Sequence, residues 1–324
     1  MMINLIRNEV LKLLRRRRFT IAVVILAVIL SAVTYGQYRQ LQSVKDRDWR
    51  VRTQQTIVRY QNALRRAQVN PTWSKSLRLE ISRLQYYLDR DIQPDKPNAP
   101  YFVRAFANVA GFLLLPLLVA VLASDVVSAE HAEGTDKLLL THPVRRWRIL
   151  TGKFAAVALF TTLLLLCGAI LGYAIASLAL EARGWGAPTF SGFRMSGETV
   201  DLGAVRQLPL WQDALIAYGL EWYALLMVAA IAVMLSTIFR SSAASIGTMM
   251  ACLIGGTILT RLTPDWTAGK YFFVSALPLA DYYTGQPPPY DGMSLLFCIG
   301  LLGAWAAASL IVAYTLFTRR DVFG

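Results

Sequence analysis

Long apolar segments alternate with short basic ones along most of the chain. A helix needs about 20 residues to cross the ~30 Å hydrocarbon core of a bilayer, because each residue advances it by about 1.5 Å. Six segments predict transmembrane helices: Phe19–Gly36, Tyr101–Ala123, Ile149–Leu180, Asp213–Phe239, Ala243–Leu262 and Met293–Phe317. The pattern therefore predicts an all-α polytopic membrane protein, with one six-span domain over residues 19–324.

The basic segments predict which ends of these spans face the cytoplasm. Arginines occupy positions 15–18 before the first span and recur at positions 145, 146 and 148 before the third. Arg240 ends the fourth span, and Arg319 and Arg320 follow the sixth. If the spans alternate in direction, all these arginines lie on one side, and cytoplasmic loops carry the excess of Lys and Arg. We therefore expect a protein of the cell (cytoplasmic, or inner) membrane with both termini cytoplasmic.

Residues 1–18 precede the first span and show a helical pattern of their own. An apolar stripe is formed by Ile3, Ile6, Val10, Leu13 and Leu14, with basic residues beside it. Such an amphipathic helix lies in the membrane interface, as an elbow before the first span. A lipid anchor and a partner-binding helix both fit this pattern.

Residues 37–100 carry 13 Lys or Arg and 6 Asp or Glu, a net charge of +7. Two apolar repeats, separated by Asn70-Pro71-Thr72, predict a helical hairpin. The first is Leu41, Val44, Val51 and Val58, and the second is Leu77, Ile81, Leu84, Leu88 and Ile92. The positive-inside rule weakens for loops longer than about 60 residues, so an extracytoplasmic hairpin is compatible with this charge. Anionic headgroups, envelope polymers, an acidic ligand or water alone could face it.

Composition supports the membrane assignment. Of the 324 residues 55% are hydrophobic and 16% are charged, whereas a soluble domain carries about 25% charged residues. Since the net charge of +13 is distributed between apolar runs, we expect membrane lipid and no nucleic acid as a partner. The three cysteines lie in apolar runs and the two histidines lack zinc-type spacing, so no metal site is predicted.

The polar segment 124–149 joins the second and third spans. From Glu130 to Lys153 the sequence is EHAEGTDKLLLTHPVRRWRILTGK. Three successive leucines lie between charged residues, and Pro143 favours a turn after them. A solvated loop does not require these leucines, whereas a short amphipathic helix against the membrane or in a partner's groove does.

This segment resembles the signature of the type-2 family of ABC export permeases, in which Glu-Gly-Thr, leucines, a proline, a basic residue and a lysine follow a glutamate. The Asn8-Glu9-x-x-Lys12 leader, the turn from Ser236 to Ser241 and the Phe317-x-Arg319-Arg320-Asp321 tail are similar to other parts of that family. The resemblance implies the membrane permease subunit of an exporter for an amphipathic or hydrophobic compound, such as a drug, an antimicrobial peptide or a lipid. It implies no enzymatic activity in this chain, a separate ABC ATPase subunit, and a second permease copy or paralogue.

The resemblance also implies roles for individual residues. The segment from Glu130 would be a coupling helix that contacts the ATPase, and its candidate residues are Glu130, Glu133, Gly134, Thr135, Leu138, Leu139, Pro143, Arg145, Arg148 and Lys153. ATP and Mg are expected on the partner, and no cofactor in this chain. A P-loop requires G-x-x-x-x-G-K-[ST], and the nearest match, from Gly192 to Thr199, has glutamate in place of the lysine.

The second and fifth spans would line the translocation path. The candidates are Phe106, Phe112, Gly247, Met249, Ala251 and Glu221. Small residues at every fourth position let helices approach closely, although packing within one subunit explains them equally well. Glu221 is either a functional intramembrane carboxylate or an interfacial one. Pro116 predicts a kink in the second span, and Arg104 and Asp125 are predicted to extend their charges toward water.

Two other classes of protein remain open. A secondary transporter or channel would carry coupling carboxylates at mid-membrane and broken helices, of which the sequence offers few. An intramembrane enzyme would carry motifs such as H-E-x-x-H or G-x-S-x-G, which the sequence lacks.

Overall fold

The computed structural model describes residues 2–15, 17–43, 48–66, 71–94, 96–133, 145–196, 199–263 and 266–319. Helices dominate this part of the chain. In chain order they are α1 (Met2–Arg15), α2 (Arg18–Ser43), α3 (Trp49–Arg66), α4 (Pro71–Asp89), α5 (Ala99–Phe112), α6 (Leu114–Ala123), α7 (Ser128–Glu133), α8 (Arg146–Ala179), α9 (Leu210–Ile238), α10 (Ser242–Leu262), α11 (Phe273–Ala276), α12 (Leu279–Tyr283) and α13 (Leu295–Arg319), with a 3-10 helix at Thr267–Tyr271.

Among the described residues, five helices are long and apolar enough to cross a membrane. They are Arg18–Gln42, Arg146–Ala179, Leu210–Ile238, Ser242–Leu262 and Leu295–Arg319. The bent pair Ala99–Phe112 and Leu114–Glu130 is a sixth if its two helices are counted as one broken span. The all-α polytopic prediction is thereby confirmed. We call the end of the bundle that carries α1 the inner end, and the end that carries α3 and α4 the outer end.

The second span is bent by 59° between α5 and α6. Leu113 interrupts the helix with φ −145° and ψ −40°. Pro116 has no backbone N–H, so it cannot donate to the Phe112 carbonyl four residues earlier, and its ring crowds that carbonyl. The predicted kink is therefore present, three residues before the proline itself.

Helix α9 is the central helix of the bundle and packs against α5, α6, α8, α10 and α13. In its most apolar stretch 72% of the residues are buried, against 17–39% in the other four continuous spans. Small residues account for much of this burial, because Ala224, Ala229, Ala230 and Ala232 let several neighbours approach closely.

Helices α3 and α4 pack side by side at the outer end. Ile57 of α3 is buried against Ile81 and Leu84 of α4, which confirms the apolar repeat of the second helix. The repeat predicted for the first helix is wrong, since the side chains of Val51 and Val58 are 50% and 47% exposed. The buried face of α3 is instead formed by Thr53, Ile57, Tyr60 and Leu64. A count of aliphatic residues misses this face because it contains a threonine and a tyrosine.

A small β element, which the sequence analysis does not predict, lies between α8 and α9. Strand β1 (Pro188–Ser191) pairs antiparallel with β4 (Arg206–Pro209), and β2 (Arg194–Ser196) with β3 (Thr199–Asp201). Phe190 and Phe193 pack against Leu79 and Tyr87 of α4. The N–H of Phe190 donates to the Tyr87 hydroxyl over 3.1 Å. The β element therefore joins the hairpin to the start of α9.

Candidate functional site

Four charges of alternating sign meet at the inner end, and we call Glu9, Lys12, Glu130 and Lys153 the inner charge cluster. Lys153 is fully buried. Its Nζ lies 2.7 Å from Glu130 Oε1 and 3.1 Å from Glu9 Oε2. Lys12 Nζ lies 2.9 Å from Glu9 Oε1 and 2.8 Å from Glu130 Oε1. Two ammonium groups thus neutralise two carboxylates, and the cluster joins α1, α7 and α8.

The local sequence explains how these side chains are positioned. Glu9 and Lys12 are three residues apart on α1, so they share one face of that helix. Lys153 follows two turns into α8 and also donates to the Val126 carbonyl over 3.0 Å. All three protons of its ammonium group can therefore be shared with acceptors. Without such partners, a buried lysine would be strongly disfavoured.

Electrostatics keep Lys12 charged. Burial is the largest influence and favours the neutral amine, but the hydrogen bond and charge of Glu130, followed by those of Glu9, outweigh it. The pKa of Lys12 is consequently raised above its ordinary value of 10.5. Lys12 is thus charged at neutral pH, and its contacts with Glu9 and Glu130 are charge-assisted hydrogen bonds that join α1 to α7.

A second ion pair links the first two spans at the inner end. Arg18 Nη1 lies 2.7 Å from Asp125 Oδ2, and Asp125 is fully buried. The prediction that Asp125 and Arg104 extend toward water is wrong for both. Arg104 is 6% exposed and pairs with Asp213 of α9. Each charge finds an opposite one at the same depth on a neighbouring helix, so neither needs bulk water.

A serine connects the end of the second span to the end of the fourth. Ser236 Oγ accepts hydrogen bonds from the backbone N–H groups of Val127, over 2.9 Å, and Ser128, over 3.0 Å. These N–H groups lie at the start of α7, where a helix has no partners of its own for them. Ser236 therefore caps α7 from a different helix.

The structure separates the predicted coupling residues into three groups. Glu130 and Lys153 belong to the inner charge cluster. Arg145 precedes α8, and the Arg148 guanidinium lies 5.4 Å from the centre of the Trp147 ring. Glu133 ends α7, and its side chain lies outside the described residues, as do Gly134, Thr135, Leu138, Leu139 and Pro143.

No sequence pattern assigns Glu9 and Lys12 to this site. A signal for the pair itself is present, because an acidic and a basic residue three positions apart beside an apolar stripe favour a partly buried pair. Their partners on α7 and α8 lie more than 100 residues away, which no local pattern reveals.

The predicted path residues do not meet at one place within the described protomer. Phe112 lines a cavity of about 720 Å³ between α5, α10 and the segment around α12. Phe106 and Met249 are buried in the core. Gly247 and Ala251 lie exposed on α10.

Glu221 is 1% exposed and is therefore buried within the protein. Its carboxylate occupies the space in which a side chain at position 111 would lie. Nearby, Asn108 Nδ2 donates to Asp281 over 2.8 Å and Arg104 contacts Asp213. Polar contacts therefore also join α5, α9 and α12 in the outer half.

Comparison with known proteins identifies a family that covers nearly the whole chain. A family model described as "ABC-2 family transporter protein" matches residues 3–322. The chain is similar to YhcI of Bacillus subtilis, with 28% identity over 99% of each chain. It is 26% identical to the membrane protein YdbK of the same organism, over 65% of this chain and 78% of that one.

A shorter match involves NosY of Stutzerimonas stutzeri, a probable ABC transporter permease protein. The two are 38% identical over 87 residues, which are 27% of this chain and 30% of NosY. The resemblance found in the sequence is confirmed, since the family model covers nearly the whole chain. The protein belongs to the ABC-2 transporter family and is a membrane subunit of an ABC transporter.

Proposed function

We propose that this chain is the permease subunit of an ATP-driven exporter for an amphipathic or hydrophobic compound, with ATP and Mg held by a separate ATPase subunit. Family membership implies the association with an ATPase. The observation that carries the proposal is the inner charge cluster. It joins α7, which precedes residues 134–144, to α8, which follows them, and both to α1. A partner that moves this segment would therefore move three helices together.

The contacts suggest how such a movement would spread. A displacement of α7 reaches α1 and α8 through Glu130 and reaches α9 through Ser236. The bend at Leu113 divides the second span, so α6 can tilt while α5 keeps its outer contacts. Motion of this kind is rigid-body movement about a hinge, driven by a ligand that favours one state.

In this proposal the inner end is cytoplasmic, both termini are cytoplasmic, and the chain lies in the cell membrane. A second permease copy or a paralogue completes the membrane part. The outward-facing side of α10 supports a helix contact, because Gly247 and Ala251 leave its backbone accessible.

Charge reversal at the coupling segment tests the proposal. The permease is co-expressed with candidate ABC ATPase subunits from the same genome, and the complex that forms is purified and assayed for ATP hydrolysis in lipid nanodiscs. We expect Glu133→Arg to abolish co-purification or to reduce hydrolysis at least tenfold. The matched control is Glu181→Arg at the outer end, where the carboxylate is exposed and pairs with Lys96 over 3.5 Å.

Normal assembly and hydrolysis in the Glu133→Arg complex would show that this segment does not couple to the ATPase. If Glu181→Arg reduced hydrolysis equally, the effect would come from charge reversal in general and not from the contact.

A secondary transporter or channel is the second candidate. Two observations favour it, the burial of the Glu221 carboxylate within a span and the break in the second span next to it. Both are features of ion-coupled transporters. Proteoliposomes containing the permease alone distinguish the two: uptake driven by an ion gradient without ATPase or ATP would support this candidate over the exporter.

A further inference from the structure

A polar cavity of about 520 Å³ lies at the base of the hairpin. It is enclosed by the end of α2, one face of α3, part of α4 and the segment that leads into α5. This cavity is separate from the inner charge cluster and from the cavity beside Phe112, and the proposed transport function does not use it. Its size is within the range of about 300–1,000 Å³ that is common for small-ligand sites.

One face of α3 supplies the basic wall of this cavity. Arg52, Gln55, Thr56 and Arg59 all line it. Their spacing of three, four and seven residues places them on one side of the helix. Arg52 and Arg59 are therefore about 10 Å apart along the helix axis, and both line the cavity.

These two arginines have no ion-pair partner within the described part of the chain. The Nε of Arg52 is buried and has no hydrogen-bond partner there. Arg50, on the same helix, is neutralised by Asp91 at 2.5 Å. The carboxylate that lines the cavity, Glu80, already accepts a hydrogen bond from Gln286 over 2.7 Å and lies 3.6 Å from Arg83.

Amide side chains form much of the remaining polar wall. Gln37, Gln40, Gln55 and Gln93 line the cavity. A primary amide both donates and accepts, so it can bind the oxygens of an anion and also neighbouring hydroxyl groups. A guanidinium binds two oxygens of a phosphate at once, which gives this arrangement a preference for a phosphate group.

The cavity also lies at a defined level of the bundle. The apolar part of α2 ends before Gln37, and the second span begins at Ala99, so both helices leave the apolar zone here. Trp49 and Tyr101 line the same cavity, and such aromatic residues prefer the headgroup level of a bilayer. A ligand at this level can be part of a lipid.

We propose that this cavity binds a phosphate group through Arg52 and Arg59, with the glutamine amides holding hydroxyl groups next to that phosphate. The phosphate belongs either to the glycerol-bearing headgroup of an anionic phospholipid or to a soluble phosphate ester. Part of the positive charge of the hairpin thereby binds a specific ligand. Binding at this site requires neither ATP nor the ATPase.

The test measures thermal unfolding of the purified full-length protein in detergent with added probes. The lipid probes are phosphatidylglycerol and phosphatidylcholine, and the soluble probe is glycerol 3-phosphate. A ligand that binds only the folded state stabilises it by RT ln(1 + L/Kd), where L is the free ligand concentration, so the melting temperature rises with the ligand concentration relative to Kd. We expect phosphatidylglycerol to stabilise the protein more than phosphatidylcholine, whose choline group compensates the phosphate charge.

The variant R52Q/R59Q is expected to lower the apparent affinity for the stabilising probe at least tenfold. The control R50Q/R65Q removes the same charge from the same helix outside the cavity, and it should bind as the unaltered protein does. The single variant R59Q, at an exposed position on α3, provides the test if the double variant does not fold.

The probes also identify the source of the phosphate. Stabilisation by glycerol 3-phosphate that requires Arg52 and Arg59, without an effect of phosphatidylglycerol, assigns a soluble ester. Equal stabilisation by both lipids, an equal loss in R50Q/R65Q, or unchanged affinity in R52Q/R59Q and R59Q would overturn the proposal.

Discussion

The inner charge cluster and the cavity at the base of the hairpin differ in whether their basic side chains have ion-pair partners. At the inner end Glu9, Glu130 and Lys153 are buried, and Lys153 meets the two carboxylates within 3.1 Å. At the outer end, Arg52 and Arg59 face a cavity without an ion-pair partner among the described residues. Paired buried charges join helices to each other, whereas unpaired ones at a cavity are available for a ligand. Charge density alone would not separate these roles, since both ends are rich in Lys and Arg.

The largest expected effect is the loss of Lys153. Lys153→Met leaves Glu9 and Glu130 buried with Lys12 as their shared cation, and breaking such a buried pair costs about 3–5 kcal/mol. Lys96→Met at the outer end removes an exposed pair with Glu181 and should cost under about 1 kcal/mol. Denaturant unfolding in detergent measures both.

Replacing both Glu130 and Lys153 by neutral residues tests whether their two charges act as a pair. In Glu130→Gln/Lys153→Met the uncompensated charge is removed, so the double variant should be more stable than Lys153→Met alone. A double variant that is less stable than either single one would show that these charges do not act as a pair.

The second prediction concerns Gly111. Gly111→Ala places a methyl group where the Glu221 carboxylate lies, and the resulting overpacking should cost about 1–3 kcal/mol. Gly219→Ala, where nothing lies within 4 Å of the new methyl group, should instead be neutral or stabilising by up to about 1 kcal/mol. Thermal unfolding compares the two, and equal effects would contradict the close contact with Glu221.

The third prediction is smaller and returns to the inner end. Ser236→Ala removes the acceptor for the N–H groups of Val127 and Ser128, and the loss of such a cap costs about 0.5–2 kcal/mol. Ser177→Ala, where the hydroxyl is exposed and bonds only locally to Ala174, is the matched control. Hydrogen exchange at residues 126–130 should rise in the first variant only.

The smallest effect near neutral pH is the titration of Lys12. Its pKa is raised in the folded protein, so its stabilisation is complete below the ordinary value of 10.5 and is lost as the pH rises through the folded value. Between pH 9 and 12 the unaltered protein should lose stability more steeply than Lys12→Met. Parallel curves for the two proteins would exclude this contribution, because Glu9, Glu130 and Lys153 are present in both and only Lys12 differs.

Much of the fold follows from local patterns. Each span is a continuous apolar segment, and the bend at Leu113 follows from one missing N–H at Pro116. The buried face of α4 repeats at helical spacing and is readable without a structure. The strands of the β element are three or four residues long, which is too short for an alternation of apolar and polar residues to be recognised.

The candidate site was less predictable because its contacts are long-range. Glu9 lies 144 positions from Lys153 and Arg104 lies 109 from Asp213, so their pairing depends on how the helices pack. Sequence motifs identified Glu130 and Lys153 through the family resemblance, but not the α1 residues that complete the cluster. The face of α3 was also mispredicted, because its buried positions are partly polar.

The β element has a mechanical consequence for the hairpin. It holds α4 through Phe190 and Phe193 and continues directly into α9 at Leu210, so a tilt of α9 would also move the strands against which α4 packs. Helix α4 has 19 residues and is about 28 Å long, so a rotation of about 10° at its base displaces its other end by about 5 Å. A displacement of that size would strain the contacts that hold this half of α4, in which Lys75 lies 3.5 Å from Asp291 and Glu80 accepts a hydrogen bond from Gln286. A spectroscopic probe near Trp73 would therefore follow the movement of α9 from outside the spans.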